Sequence, residues 1–233
     1  MTGLPGRWIS RLKGYLSPAT IRAHIADVTD GILAIAGFSE GLAAAGATTE
    51  VYRLLFISAL AGAFSTAAVS ITGTAADREA EQRLVAEEMR LLELSPQEEM
   101  AELAAHFEAK GVSPRTARRV AEELSSADAL SAQLETEYGI RELTTAGQPI
   151  LFAVASGVSF LLGAGVPLIL ARLWPGPWLD EYTLVAVVVS LSVTALVLAR
   201  LGGTKIWATL ARSVFIGVAS LGASHLAASI IVR

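Results

Sequence analysis

The chain of 233 residues is 53% hydrophobic and 17% charged, whereas soluble domains carry roughly 25% charge. That balance, with a mean hydropathy of +0.53, belongs to a polytopic membrane protein with a modest soluble part. No cysteine is present, which excludes disulfides, thiolate metal sites and cysteine nucleophiles.

The first segment, residues 1–26, is basic and amphipathic. It has no short apolar core followed by a small-residue cleavage site, so it does not read as a signal peptide. A membrane-crossing helix needs about 20 mostly apolar residues. Five stretches qualify: Val28–Ala47, Leu54–Ala76, Gln148–Leu173, Tyr182–Leu201 and Ile206–Val232. The first two are rich in Ala, Gly, Ser and Thr, which suits helices enclosed by other helices. Trp174, Trp178 and Tyr182 stand where an interfacial aromatic belt would lie.

With five spans and a cytoplasmic N-terminus, 15 of the 18 Lys and Arg residues fall on the inner side. Only Arg53, Arg172 and Arg233 do not, which is the bias expected of that orientation. The expectation is a multi-pass integral protein of a bacterial inner or plasma membrane.

Residues 77–142 break the membrane pattern. "SPQE" at Ser95–Glu98 has the form of a capping box, with Pro96 at the first helical position. "KGVSP" ends one helix at Gly111 and starts another at Ser113–Pro114. A third start lies near Ser125 or Ser126, and the last helix ends near "YGI". The fold class is therefore all-α: transmembrane helices 1–2 (residues 27–76), a cytoplasmic helical insert (77–142) and transmembrane helices 3–5 (143–233).

The insert holds sixteen acidic residues against eight basic ones. Glu99 and Glu102 share a helical face, Glu87 and Glu88 lie on the first helix, and Glu135 and Glu137 close the last. Carboxylates converging from several helices make an oxygen-rich site for divalent cations. Against this stands the ordinary preference of Glu for solvated helices. His24, His106 and His225 are each isolated and read as ordinary surface or core residues.

Three further acids lie in apolar surroundings. Asp27 suits a helix cap at the interface, as does Thr29. Asp30 suits it less, and Glu40 lies about 15 Å further along at 1.5 Å per residue. An ionisable residue at that depth is an ion ligand or proton carrier by default. No Lys or Arg lies in the central part of any span to neutralise it. Ser58, Ser65, Thr66, Ser70 and Thr72 supply neutral oxygens on the second span, where small-residue packing explains them equally well.

Over nearly the whole length from about Ile21, the chain resembles the vacuolar iron transporters and their bacterial relatives. "TDGILAIAGFSEGL" resembles the first-span signature of that family and "AGAFST" its second-span motif. "LLGAGVPLI" at Leu161–Ile169 is similar to a Gly-rich, Pro-containing element of its third span. The order also agrees: two spans, a Glu-rich insert carrying "SPQEEMAEL" and "EYGI", then three spans.

The resemblance implies a homodimer with its path between two sets of five helices. It implies export of Fe²⁺ or Mn²⁺ from the cytosol in exchange for protons, with Zn²⁺ or Co²⁺ as surrogates. It assigns the intramembrane ion-handling acid to Asp30, with Glu88, Glu99, Glu102 and Glu137 at the metal-binding positions of the insert. Glu87 and Glu93 are their near neighbours.

Departures accompany it. Thr66 replaces a Met, Ser58 an acid, and Gln133 and Leu134 a Met pair, leaving an all-oxygen character suited to Mn²⁺ or to weaker iron selectivity. Glu40 occupies a position that is small and apolar in that family, and would restore from the first span the carboxylate missing at Ser58. The competing reading is a membrane-anchored metal sensor or scaffold. An enzyme finds no support, since no Ser/His or paired catalytic Asp motif appears.

Overall fold

Ser17 and Ser113 each precede a proline, and each begins a helix in the same way. The backbone N–H groups of Thr20 and Thr116 donate to the Ser17 and Ser113 hydroxyls at 3.1 and 3.4 Å. Proline follows at a position that needs no donor. In this computed structural model the described residues are 17–47, 50–173 and 179–231. Residues 1–16, Trp174, Trp178 and Arg233 lie outside them, and with them most of the basic N-terminal segment and of the aromatic cluster.

Seven helices occur among the described residues: α1 Pro18–Ala44, α2 Val51–Leu94, α3 Pro96–Ala109, α4 Pro114–Tyr138, α5 Gln148–Leu173, α6 Leu179–Gly202 and α7 Ile206–Ile231. Stretches of α2, α5, α6 and α7 are long and apolar enough to cross a bilayer, which marks an integral membrane protein. The helix that should supply the first span does not reach that hydropathy, because Asp27, Asp30, Glu40 and its glycines dilute the apolar residues. It also starts ten residues before the expected Val28. Asp27 and Thr29 are therefore interior residues and not caps; the Thr29 hydroxyl donates back to the Ile25 carbonyl at 2.9 Å.

The chain divides into two units, residues 1–70 with 150–233, and residues 71–149. In the first, α1 is the central helix. On one side Ile35 packs with Leu55, Ala59 and Ala63 of α2 and with Phe160 and Ala164 of α5. On the other, Ile32 and Ala36 pack with Val187 and Leu191 of α6 and Leu221 of α7. The α1–α5 crossing is a contact of backbones. A side chain at Gly31 would collide with the Phe160 carbonyl and the Ala164 amide, and one at Gly163 with the Val28 carbonyl and the Ile32 amide. Small residues allow such an approach where no hydrophobic driving force separates helix from lipid.

In the second unit, Leu103 and Ala104 of α3 pack with Ala117 and Ala121 of α4. α4 is broken at Asp128, whose backbone is extended (φ −163°, ψ 89°). The Asp128 carboxylate accepts from the Ser131 N–H at 3.0 Å and the Ser131 hydroxyl at 2.7 Å. It thus caps a new helical segment, so the third start lies at Asp128 and not at Ser125 or Ser126. Ser95 precedes α3 as expected, but its hydroxyl makes no capping bond; its carbonyl accepts the N–H groups of Glu98 and Glu99. Glu81 of α2 accepts from the Thr144 N–H and hydroxyl at 2.7 and 2.8 Å, tying the segment after α4 to α2.

Gly31→Leu and Gly163→Leu are expected to be strongly damaging. Overpacking usually costs about 1–3 kcal/mol, and a backbone contact has no side chain that can yield. Thermal unfolding in detergent should show a clear loss for either variant, and little change for Gly165→Leu, where the space is open.

Candidate functional site

Two acidic sites form, one in each unit. In the insert, Glu88 of α2 and Glu99 of α3 are buried, with 1% and 6% of their surface exposed. Glu102 of α3 and Glu137 of α4 lie at the exposed margin, close enough to act on Glu88. Burial, with Glu99, Glu137 and Glu102 nearby, pushes the Glu88 carboxyl up to about 7. Burial and Glu102 also raise Glu99. Glu88 hydrogen-bonds Glu99, yet its Oε1 is shut off from solvent and has no partner. A buried carboxyl oxygen without a donor is costly.

Gln133, 4% exposed, closes the site from α4. Its Nε2 donates to the Glu99 main-chain carbonyl at 2.7 Å and to Glu99 Oε2 at 3.2 Å. The break at Asp128 begins the segment that carries Gln133, Glu137 and Tyr138. Burial and a hydrogen bond with Glu137 push the Tyr138 hydroxyl up to about 12.

Of the seven glutamates singled out from the sequence, four come together: Glu88, Glu99, Glu102 and Glu137. The other three do not. Glu87 points outward and is held by Arg90 at 2.6 Å, which keeps its carboxyl below the usual range. Glu135 pairs with Arg141 at 2.9 Å, and Glu93 is exposed. Adjacent positions on a helix face different ways, so Glu87 and Glu88 could not both enter one site. The donors offered are all oxygens, the set that hard divalent cations take. As placed, no three or more acidic or imidazole side chains among the described residues close on a single point.

In the first unit, an open cleft of about 670 Å³ runs along α1. Asp30 lines it, together with Thr66 of α2, Phe160 of α5, and Ser220 and Ser224 of α7. Gly37 and Gly41 of α1 keep its wall low. Asp30 is thus exposed in the chain, at a cleft wall in mid-helix and not at a helix end. Ser58 and Ser65 do not line the cleft; Ser65 is exposed and Ser58 half-buried. Asp27 lies beside His24, Oδ2 to Nδ1 at 3.5 Å. Glu40 lies beside His225 of α7, Oε2 to Nδ1 at 3.6 Å. The α7 contribution was not anticipated, although Ser220 and Ser224 stand four apart and so share one helical face.

With that geometry in hand, comparison with known proteins is direct. The sequence profile of the VIT family matches residues 21–229. The chain belongs to the VIT family. A protein of Acanthamoeba castellanii described as a vacuolar iron transporter is 28% identical over 158 residues, which cover 68% of this chain and 58% of that relative. The chain therefore matches less than two thirds of that relative's length. The match covers the four spans, the insert and α1, so this VIT-family chain carries both acidic sites within the family region.

A divalent cation held by the insert's carboxylates would compete with protons for the same oxygens, and that expectation sets a pH dependence. A Glu raised from 4.5 to about 7 is disfavoured in its ionised form, so the cost of folding with it charged appears as pH rises through that window. A divalent cation needs the ionised form and offsets that cost. Mn²⁺ affinity of the full-length protein, measured calorimetrically, should therefore fall by roughly tenfold or more between about pH 8 and pH 5.5. Glu88→Gln should bind weakly at both values.

Proposed function

We propose that this VIT-family protein is a divalent metal transporter, moving Fe²⁺ or Mn²⁺ out of the cytosol in exchange for protons. One observation carries this reading: a carboxylate, Asp30, stands on the wall of a cleft in the central helix, with hydroxyls of Thr66, Ser220 and Ser224 on the surrounding helices. An acid in an apolar bundle is costly unless a cation or a proton meets it. The name of the Acanthamoeba relative points to iron.

In this reading the glutamates of the insert gather the cation, with Glu88 Oε1 as a ready acceptor. A cation drawn between Glu88, Glu99, Glu102 and Glu137 relieves their mutual repulsion, as protonation does without it. Cytosolic metal is handed to Asp30, whose ionised carboxylate binds it. The cleft lies open along one side, and a second copy facing it would enclose the path, as expected of a homodimer. The all-oxygen surroundings, with Thr66 at the cleft and Gln133 at the insert, favour Mn²⁺ alongside Fe²⁺. The N-terminus is cytoplasmic in this arrangement, by the Lys and Arg bias.

One observation favours a sensor or scaffold instead: the glutamate cluster is assembled wholly within residues 71–149 and needs nothing from the spans. The two readings part at Asp30, since an anchor has no use for it.

The test is metal flux into proteoliposomes holding the full-length protein, with Fe²⁺, Mn²⁺, Co²⁺ and Zn²⁺ compared. Fe²⁺ and Mn²⁺ should enter, and Asp30→Asn should lower entry at least tenfold while metal binding to the insert persists. Metal binding without flux in the unsubstituted protein would decide for the sensor.

A further inference from the structure

Among the described residues of the insert, the buried polar side chains are Glu88, Glu99 and Gln133, and only Gln133 is an uncharged type. Both bonds of its amide nitrogen end on one residue. Nε2 donates to the Glu99 main-chain carbonyl at 2.7 Å and to Glu99 Oε2 at 3.2 Å. A main-chain carbonyl only accepts, whatever the charge on the neighbouring carboxyl, so an amide oxygen turned toward it would face lone pairs. The nitrogen therefore stays toward Glu99 in every state of the site.

Glu99 is thus gripped at two points of its own length, backbone and carboxylate, by a single atom of α4. Its carboxylate cannot swing without breaking the second bond. The same side chain hydrogen-bonds Glu88, whose Oε1 is shut off from solvent without a partner. That buried oxygen is the atom a cation would satisfy. At the margin, Glu137 is in turn hydrogen-bonded by Tyr138. Both holding groups, Gln133 and Tyr138, stand on the segment that begins at Asp128.

Restraint of this kind bears on which cation fits. Ca²⁺ takes about six to eight oxygens in adaptable geometry, often with a carboxylate that gives both of its oxygens. Smaller dications such as Mn²⁺ fill an octahedral set of oxygens and do well with one from each carboxylate. A carboxylate with one oxygen tied to an amide N–H, and unable to swing, offers a single oxygen.

We propose that Gln133 is a specificity-determining residue of the insert: by holding Glu99 to one-oxygen donation, it makes the cluster accept small dications such as Mn²⁺ and reject Ca²⁺. Gln133 is a positioning residue and acts through Glu99, without touching the cation. Loss of its amide frees Glu99 to bring both oxygens to the cation. Ca²⁺ then gains a ligand that Mn²⁺ does not need. The proposal rests on the reading that the insert's glutamates gather the cargo, and its test separates the two.

Mn²⁺ and Ca²⁺ are titrated calorimetrically into the full-length protein in detergent at about pH 8, where the carboxylates are available to metal. Binding that Glu88→Gln abolishes is assigned to the cluster. The unsubstituted protein should bind Mn²⁺ there more tightly than Ca²⁺ by about twentyfold or more. Gln133→Leu, similar in size and without a donor, should tighten Ca²⁺ binding by about fivefold or more and draw the two affinities together. Gln133→Met keeps the test available if the leucine variant does not assemble, since its flexible chain fills irregular gaps. Its thioether favours softer metals and leaves the Ca²⁺ readout undisturbed. A residue that merely holds α4 to α3 would, when replaced, weaken both cations alike, and that result overturns the proposal. So does Ca²⁺ binding as tight as Mn²⁺ binding in the unsubstituted protein. Absence of any Glu88-dependent Mn²⁺ binding overturns instead the reading that the insert gathers metal.

Discussion

The approach of α1 to α5 through Gly31 and Gly163 is the constraint on which the first unit depends. Helices in lipid gain little from burying apolar surface, so they associate through close contact of backbones and through polar groups. α1 has the weakest apolar signal of the five long helices of its unit, yet α2, α5, α6 and α7 all pack against it. The two facts have one cause. A helix packed by four others can carry carboxylates on the one face it leaves open, and its small residues are what let the others come near. Asp30 is therefore tolerated because of where Gly31 places the backbone beside it.

The insert solves a different problem with similar materials. Three carboxylates, Glu99, Glu102 and Glu137, lie around a fourth, Glu88, that has lost nearly all contact with water. Water reaches Glu102 and Glu137 but hardly Glu88, whose carboxyl is therefore pushed toward its neutral form beside three other acids. Gln133 contributes no charge. Its amide fixes Glu99 through both main chain and side chain, and so determines which oxygens remain available.

Much of this was legible in sequence, and the failures have identifiable causes. Ser113–Pro114 and the end of α3 near Gly111 were readable, because local chemistry sets caps and turns. The same Ser-Pro signal at Ser17–Pro18 is outweighed in sequence by Asp27, since the apolar run begins only later. From sequence the start after the break in α4 reads two or three residues early, because Ser125, Ser126 and Asp128 all suit a cap and only the bond from Ser131 distinguishes them. Glu88 and Glu87 are indistinguishable by composition; the direction of the helix face separates the buried acid from the one bound to Arg90. The partnership of Glu40 with His225 joins residues far apart in the chain, and no local pattern could reveal it.

The extended residue at Asp128 has a bearing on how such a protein can diversify. The fully buried residues shared by α3 and α4, Leu103, Ala104, Ala117 and Ala121, all precede it, whereas Ala132 at the margin of that core and Gln133, Glu137 and Tyr138 beside the glutamates follow it. Most of the domain's core and most of what α4 brings to the glutamate cluster thereby fall on separate stretches of one helix. Selection can alter the short terminal stretch, exchanging amide for thioether or acid, while the preceding stretch keeps the domain folded. The chemistry offered beside Glu88 can then change within a few substitutions while most of the domain's core persists.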